Sequence, residues 1–273
     1  MTRLKSLRLP LMLLALSGPA SGGTALKALL ESNSYKDSWV SVGASIDGSR
    51  LRLDFEGPWS KGALLYDRDS SLVTLVDHLH KTILALTPDN QATLQLFVTL
   101  AATQLKKQEA SWNPASLKAF ELAQHNSQVF FNGTPRLAEK GVKMEGVPCD
   151  KYVTDLETGE KREVWITSPE KAGFSAEDYN TLRSLAHLTL TMGNGLFTQM
   201  GADTTTFSQN FYEPQFPMAA VLHSRGKASS QFKVLKIQSQ SFGVTAFDLP
   251  TGYRNLTMLD LMRQGSPAVT PQN

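Results

Sequence analysis

Three groups of residues have the types that chemistry requires, and each is incomplete as it stands. Cys149, the one cysteine of the chain, lies in Gly146-Val147-Pro148-Cys149-Asp150-Lys151-Tyr152. As a nucleophile it needs a neighbouring base and a lowered pKa. With no second cysteine it cannot close an intramolecular disulfide. Val147, Cys149 and Val153 share a strand face by period two, interrupted by Lys151. That leaves packing, an interchain link and catalysis open, in that order of weight. Asp77, His78 and His80 form the nearest approach to a metal pair, since alternate residues of an extended segment point the same way. Zinc takes three or four ligands, and His125, His187 and His223 lie in scattered elements, so a polar hairpin turn is the plainer reading. Tyr152, Trp165 and Tyr253 stand near strand ends, where aromatic rings either edge an apolar pocket or fill a core.

The motifs that announce common enzymes are missing. There is no Gly-x-Ser-x-Gly elbow, no Gly-Lys-Ser/Thr phosphate loop, no His-Glu-x-x-His and no Cys-x-x-Cys. This argues against the common hydrolase, kinase and zinc classes and leaves an uncommon hydrolase. No catalytic residue, metal or cofactor is expected. Asn132-Gly133-Thr134 and Asn255-Leu256-Thr257 match the glycosylation acceptor pattern, which matters only in a eukaryotic host.

The elements that must position these residues begin after residue 22. Arg3, Lys5 and Arg8, the apolar run from Leu9 to Leu16 and the small residues Ala20, Ser21 and Gly22 have the layout of a secretory signal. Cleavage after Gly22, Gly23 or Ala25 fits the small-residue rule, and no cysteine follows to take a lipid anchor. The apolar run falls short of the about 20 residues a membrane helix needs. The chain has 27 basic and 25 acidic residues; without residues 1–22 it has 24 basic and 25 acidic, which gives no electrostatic case for nucleic acid. With 41% hydrophobic residues, the 273-residue chain can bury a full core without disulfides as one domain over 23–263.

Within that domain the period predicts a short helix over Ala25 to Glu31, then strands over Trp39–Ile46 and Arg50–Phe55 joined at Asp47-Gly48. Further strands fall at Gly62–Tyr66, Leu72–Asp77 and Thr82–Leu86, and their short links make an antiparallel meander. Thr87-Pro88 and Asn113-Pro114 open two helices of an insertion around 88–126. Strands resume at Gln128–Phe131, Lys143–Leu156 and Arg162–Thr167, the last two joined by Glu157-Thr158-Gly159-Glu160. Ser175-x-x-Asp178 opens a helix that Gly193 is expected to end, followed by a loop to Phe211. Met218–Ser224, Phe232–Ser239 and Thr245–Leu249 read as closing strands, and 264–273 as a disordered tail. The expected fold class is α+β: a curved antiparallel sheet with helices over one face.

Gly146-x-x-Cys149-x-x-Tyr152 followed by Val164-Trp165-Ile166-Thr167 resembles a family of exported bacterial proteins whose fold is similar to the lipoprotein carriers LolA and LolB. Leu65-Tyr66-Asp67, and Phe247-Asp248-Leu249-Pro250-Thr251-Gly252-Tyr253 near the end, share the resemblance, which covers most of residues 36–254. It implies a half-barrel enclosing an apolar cavity, with Cys149, Tyr152, Trp165, Gly252 and Tyr253 as its motif positions. A non-enzymatic periplasmic or secreted protein that binds a lipid, a lipoprotein or a hydrophobic small molecule follows as the expectation. A structural or interaction module of the cell envelope is the alternative. No residue matches a functional motif of the carriers, so their activity is not carried over.

Overall fold

A computed structural model describes residues 22–32, 38–58, 60–96, 133–156, 159–199, 215–224, 227–257 and 260. Residues 1–21 of the signal expected over 1–22, residues 200–211 of the expected loop, the second insertion helix, the strand expected at Gln128–Phe131 and the tail lie outside them. Twelve strands form one sheet: β1 (Gly23–Ser32), β2 (Ser38–Asp47), β3 (Arg50–Gly57), β4 (Ser60–Asp67), β5 (Leu72–Asp77), β6 (Thr82–Leu86), β7 (Arg136–Met144), β8 (Val147–Asp155), β9 (Lys161–Thr167), β10 (Phe216–Ser224), β11 (Lys227–Gln240) and β12 (Arg254–Leu256). Their order across the sheet is β12-β6-β5-β4-β3-β2-β1-β11-β10-β9-β8-β7. Every pairing is antiparallel except that of β12 with β6. The sheet is curved and unclosed, and the fold class is α+β. The helical segments that accompany it include α1 (88–96), α2 (Pro169–Ala172) and α3 (Ala176–Gln199).

The meander follows from alternation and from turn chemistry. Leu51, Leu53 and Phe55 face one way and Arg52 and Asp54 the other. Asp77 closes the β5–β6 turn, its Oδ1 accepting the backbone N–H of Leu79 at 2.8 Å and of His80 at 3.0 Å. Thr87 caps α1, and Ser175 Oγ accepts from the Asp178 N–H at 3.0 Å to cap α3.

Four local expectations are overturned. Ala25 to Glu31 is strand, not helix, because β2 and β11 hydrogen-bond to its two edges, and that pairing overrides the helical preference of Ala-Leu-Lys-Ala-Leu-Leu-Glu. The strand expected over Lys143–Leu156 is a hairpin: Glu145 at φ 48 and Gly146 at φ 84 make the two-residue turn between β7 and β8. The helix from Ala176 passes Gly193 and reaches Gln199, since a mid-helix glycine costs only about 1 kcal/mol unless a left-handed cap forms there. Thr245–Leu249 is a pair of turns, with Ala246 N donating to Gly243 O and Asp248 N to Thr245 O, and the strand lies further on at β12.

Candidate functional site

Residues directly opposed in an antiparallel pair share a face, so the register reads as rows across the sheet. One row runs Thr24, Ile46, Leu51, Tyr66, Val73 and Leu86, and none of these is more than 4% exposed. Two residues along, Leu26, Ala44, Leu53, Leu64, Leu75 and Leu84 make a second row, still apolar but opening at Leu75, which is 37% exposed. Further along the same face a third row runs Val40, Leu30, Phe232, Ala220, Val164, Tyr152 and Leu137 across seven strands. Its members Leu30 and Leu137 are 41% and 43% exposed. Over β1–β6 this face is apolar, sealed by the first row and opening at Leu75 and Leu30, while Val164 in the third row is 5% exposed.

The seal is built by α3. Asp178, buried at the helix start, accepts from Thr24 Oγ1 at 2.7 Å and from the Gly48 N–H at 3.0 Å. Thr181 Oγ1 donates to Gly48 O at 2.6 Å, and Tyr66 Oη and Ser184 Oγ lie 2.7 Å apart. The helix is thus fastened over the first row by polar groups, while Leu182, Leu185, Leu188 and Met192 pack on the apolar rows. Leu94 of α1 and Ala172 of α2 join the same core.

Cys149 is 1% exposed, and its thiol donates to Val147 O at 3.5 Å. Burial pushes its pKa up, against a backbone hydrogen bond from Met144. Tyr152 stands in the third row, opposite Leu137 and Val164. Trp165 packs against the same core as Cys149, with Lys151 Nζ 5.0 Å from its ring centroid. Beside it Glu163 receives Lys161 Nζ at 2.6 Å and Lys151 Nζ at 3.2 Å, with His223 Nε2 at 3.3 Å. Burial alone would raise the Glu163 pKa; the hydrogen bonds from the two lysines override it and hold the carboxyl at about 2. Arg162, also buried, donates to Thr154 Oγ1 at 3.3 Å, and desolvation lowers its pKa to about 10.

The two histidines of the candidate metal pair go to different partners. His80 Nδ1 meets Asp77 Oδ2 at 2.6 Å, whereas His78 Nδ1 lies 2.9 Å from Tyr253 Oη. Among the described residues no three metal-ligating side chains converge. Tyr253 packs on Ala63, Val76 and Ile83, on the face opposite the rows. Gly252, at φ 77, turns the chain to deliver it. The motif Phe247 to Tyr253 thus belongs to a strap that leaves β11 and crosses the back of the sheet to β6. On the way Arg50 sits 4.7 Å from the Phe247 ring centroid, and Arg52 Nη1 donates to Asp248 O at 3.2 Å. Neither the rows nor the Asp178 fastening is legible in the sequence. The period-two runs were visible, but their alignment depends on pairings between distant strands.

The architecture defines an α+β protein with an open, curved sheet and an apolar face partly closed by a helix. No family model matches the chain, and no curated protein is found similar to it. The resemblance read from Gly146-x-x-Cys149-x-x-Tyr152, Val164 to Thr167, Leu65-Tyr66-Asp67 and Phe247 to Tyr253 therefore rests on those sequence motifs. Solved structures similar to the chain include an uncharacterized conserved protein from Thermus thermophilus, with TM-score 0.40, 9% identity, 87% of this chain and 91% of that one covered. The Pseudomonas aeruginosa MucA/MucB complex gives TM-score 0.38 and 11% identity over 86% of this chain and 58% of that one. PNGF-II gives 0.36 and 8% over 89% of this chain, which spans about a third of the PNGF-II chain (32%). At such scores the likenesses carry no argument about function.

Proposed function

We propose that this is a non-enzymatic binding protein that holds an apolar ligand, such as a lipid acyl chain, against the open part of the apolar face. One observation carries the reading: along the face of β1, burial falls from Thr24 at 2% exposed to Leu30 at 41%. A face that only built a core would be closed along its length. An acyl chain laid there gains about 0.8 kcal/mol for each methylene it buries. It also needs no hydrogen bonds from interior strands whose backbone groups are already paired. Two of the buried charged groups have structural work, Asp178 in the helix fastening and Glu163 among its lysines. No helix among the described residues is long and apolar enough to cross a membrane. The N-terminal residues support export, to the periplasm or beyond the cell.

The test is displacement of a fluorescent fatty acid, cis-parinaric acid, with mass spectrometry of organic extracts of the purified protein. Saturable binding that weakens about tenfold in Phe232→Asp is the expected result. Absence of both co-purifying lipid and probe binding overturns the proposal. Capture of a protein by the same face, with no lipid bound, would instead support the interaction module. Strand addition at the β7 edge is disfavoured, since β7 is bulged twice and exposes Arg136, Glu139, Lys140 and Lys143.

A further inference from the structure

β1 begins directly after the leader expected over 1–22. Gly22 is half-buried, whereas Gly23 and Thr24 are buried. From Thr24 to Ser32 every residue of β1 is opposed by β2 on one edge and by β11 on the other. Gly23 already stands opposite Gln240, and a Cβ built on it would overlap Ile46 O and press on the Phe242 ring. Only glycine fits there. Thr24 Oγ1 donates to Asp178, so the second residue of the strand is held through its side chain as well.

These contacts choose among the bonds that the small-residue rule allows. Cleavage after Ala25 would discard Thr24 and take that donor from the buried Asp178 carboxylate. Cleavage after Gly23 would discard the residue that the close approach to Ile46 requires. Cleavage after Gly22 uses Ala20 and Gly22 as the small pair and keeps all of β1. A protease that takes its substrate as an extended backbone needs a free strand edge to pair with. In the folded protein the residues just after that bond are paired on both edges. We propose that Gly22–Gly23 is a signal-peptidase site that is open only before β2 and β11 enclose β1. Hydrolysis breaks the C–N bond, water giving its hydroxyl to the Gly22 carbonyl carbon and a proton to the Gly23 nitrogen. Processing therefore precedes folding, and a precursor that folds with its leader attached keeps it. This inference rests on the export part of the reading above.

The test incubates the full chain, leader attached, with a purified signal peptidase, either folded or freshly diluted from urea. Intact-mass spectrometry identifies the products. The diluted chain should yield a product that begins at Gly23. The folded chain should be cut about a hundredfold more slowly, since freeing β1 takes sub-global opening. Asp178→Ala loosens β1 from α3 without touching the cleavage motif, and should speed cutting of the folded chain about tenfold. Circular dichroism verifies that this variant is folded, and the wild-type comparison does not depend on it. Equal rates for folded and diluted wild type overturn the proposal. So does a product that begins at Ser21, Thr24 or Leu26. No cutting in either state removes the leader and the proposal together, while probe binding decides the apolar-ligand reading separately.

Discussion

Asp178 Oδ2 and Thr24 Oγ1, 154 residues apart in the chain, lie 2.7 Å apart in the buried interior. The same carboxylate accepts the Gly48 N–H, so one side chain ties α3 to β1 and to the β2–β3 turn. Replacing it strands one buried and one part-buried donor, at about 1–3 kcal/mol each. Asp178→Ala should lower the urea midpoint by the equivalent of about 3 kcal/mol with an unchanged slope. Thr24→Val, which keeps the shape, should cost less. A double-mutant cycle with no coupling between the two would show that the fastening is not energetically real.

Glu163 links stability to pH. Its folded pKa of about 2 is depressed from 4.5, so its contribution is present above the unfolded value and is lost as pH falls through that interval. Denaturation from pH 5 to about pH 2 should show wild type losing a few kcal/mol more than Glu163→Gln. At pH 7 the variant should be less stable, because Lys151 and Lys161 lose their shared partner. Parallel curves for the two proteins would discount the network.

Cys149 should behave as a packing residue. Buried and with a raised pKa, its thiol should react with a disulfide reagent only after unfolding. Cys149→Ser should cost about 1–3 kcal/mol, from a hydroxyl placed in an apolar site, and should leave probe binding intact. Fast labelling of the native protein, or a covalent dimer on a non-reducing gel, would reopen the other two roles.

Tyr253 separates the two components of the strap's anchor. Tyr253→Phe removes only the contact with His78 and should cost about 1 kcal/mol. Tyr253→Ala also uncovers Ala63, Val76 and Ile83 and should cost about 3–5 kcal/mol. Hydrogen exchange should then quicken in β6, where the strap adds its three-residue strand. Equal exchange in both variants would mean that the anchor does not hold that edge.

The central meander was legible because Leu51, Leu53 and Phe55 alternate with charges and because Asp77 and Gly48 punctuate turns locally. β1 was not, since its local preference is helical and its strand state comes from partners that no window of the sequence contains. The same holds for the site. Leu30 is an ordinary apolar residue in the sequence, and its place in an exposed row depends on Val40 and Phe232. His78 and Tyr253 are both candidates by residue type, yet 175 residues separate them and nothing in either neighbourhood names the other.

β1 stands between β2 and β11, and Glu31 faces Gln231 across 200 residues of chain. Synthesis therefore delivers the first strand long before its second neighbour. The β1–β6 meander can assemble early, but one edge of β1 stays bare until the last long strand arrives. Such an edge is a template for pairing with other chains, and closure at this separation is slow. The interval between the first strand and the eleventh is when that edge is most open to other chains.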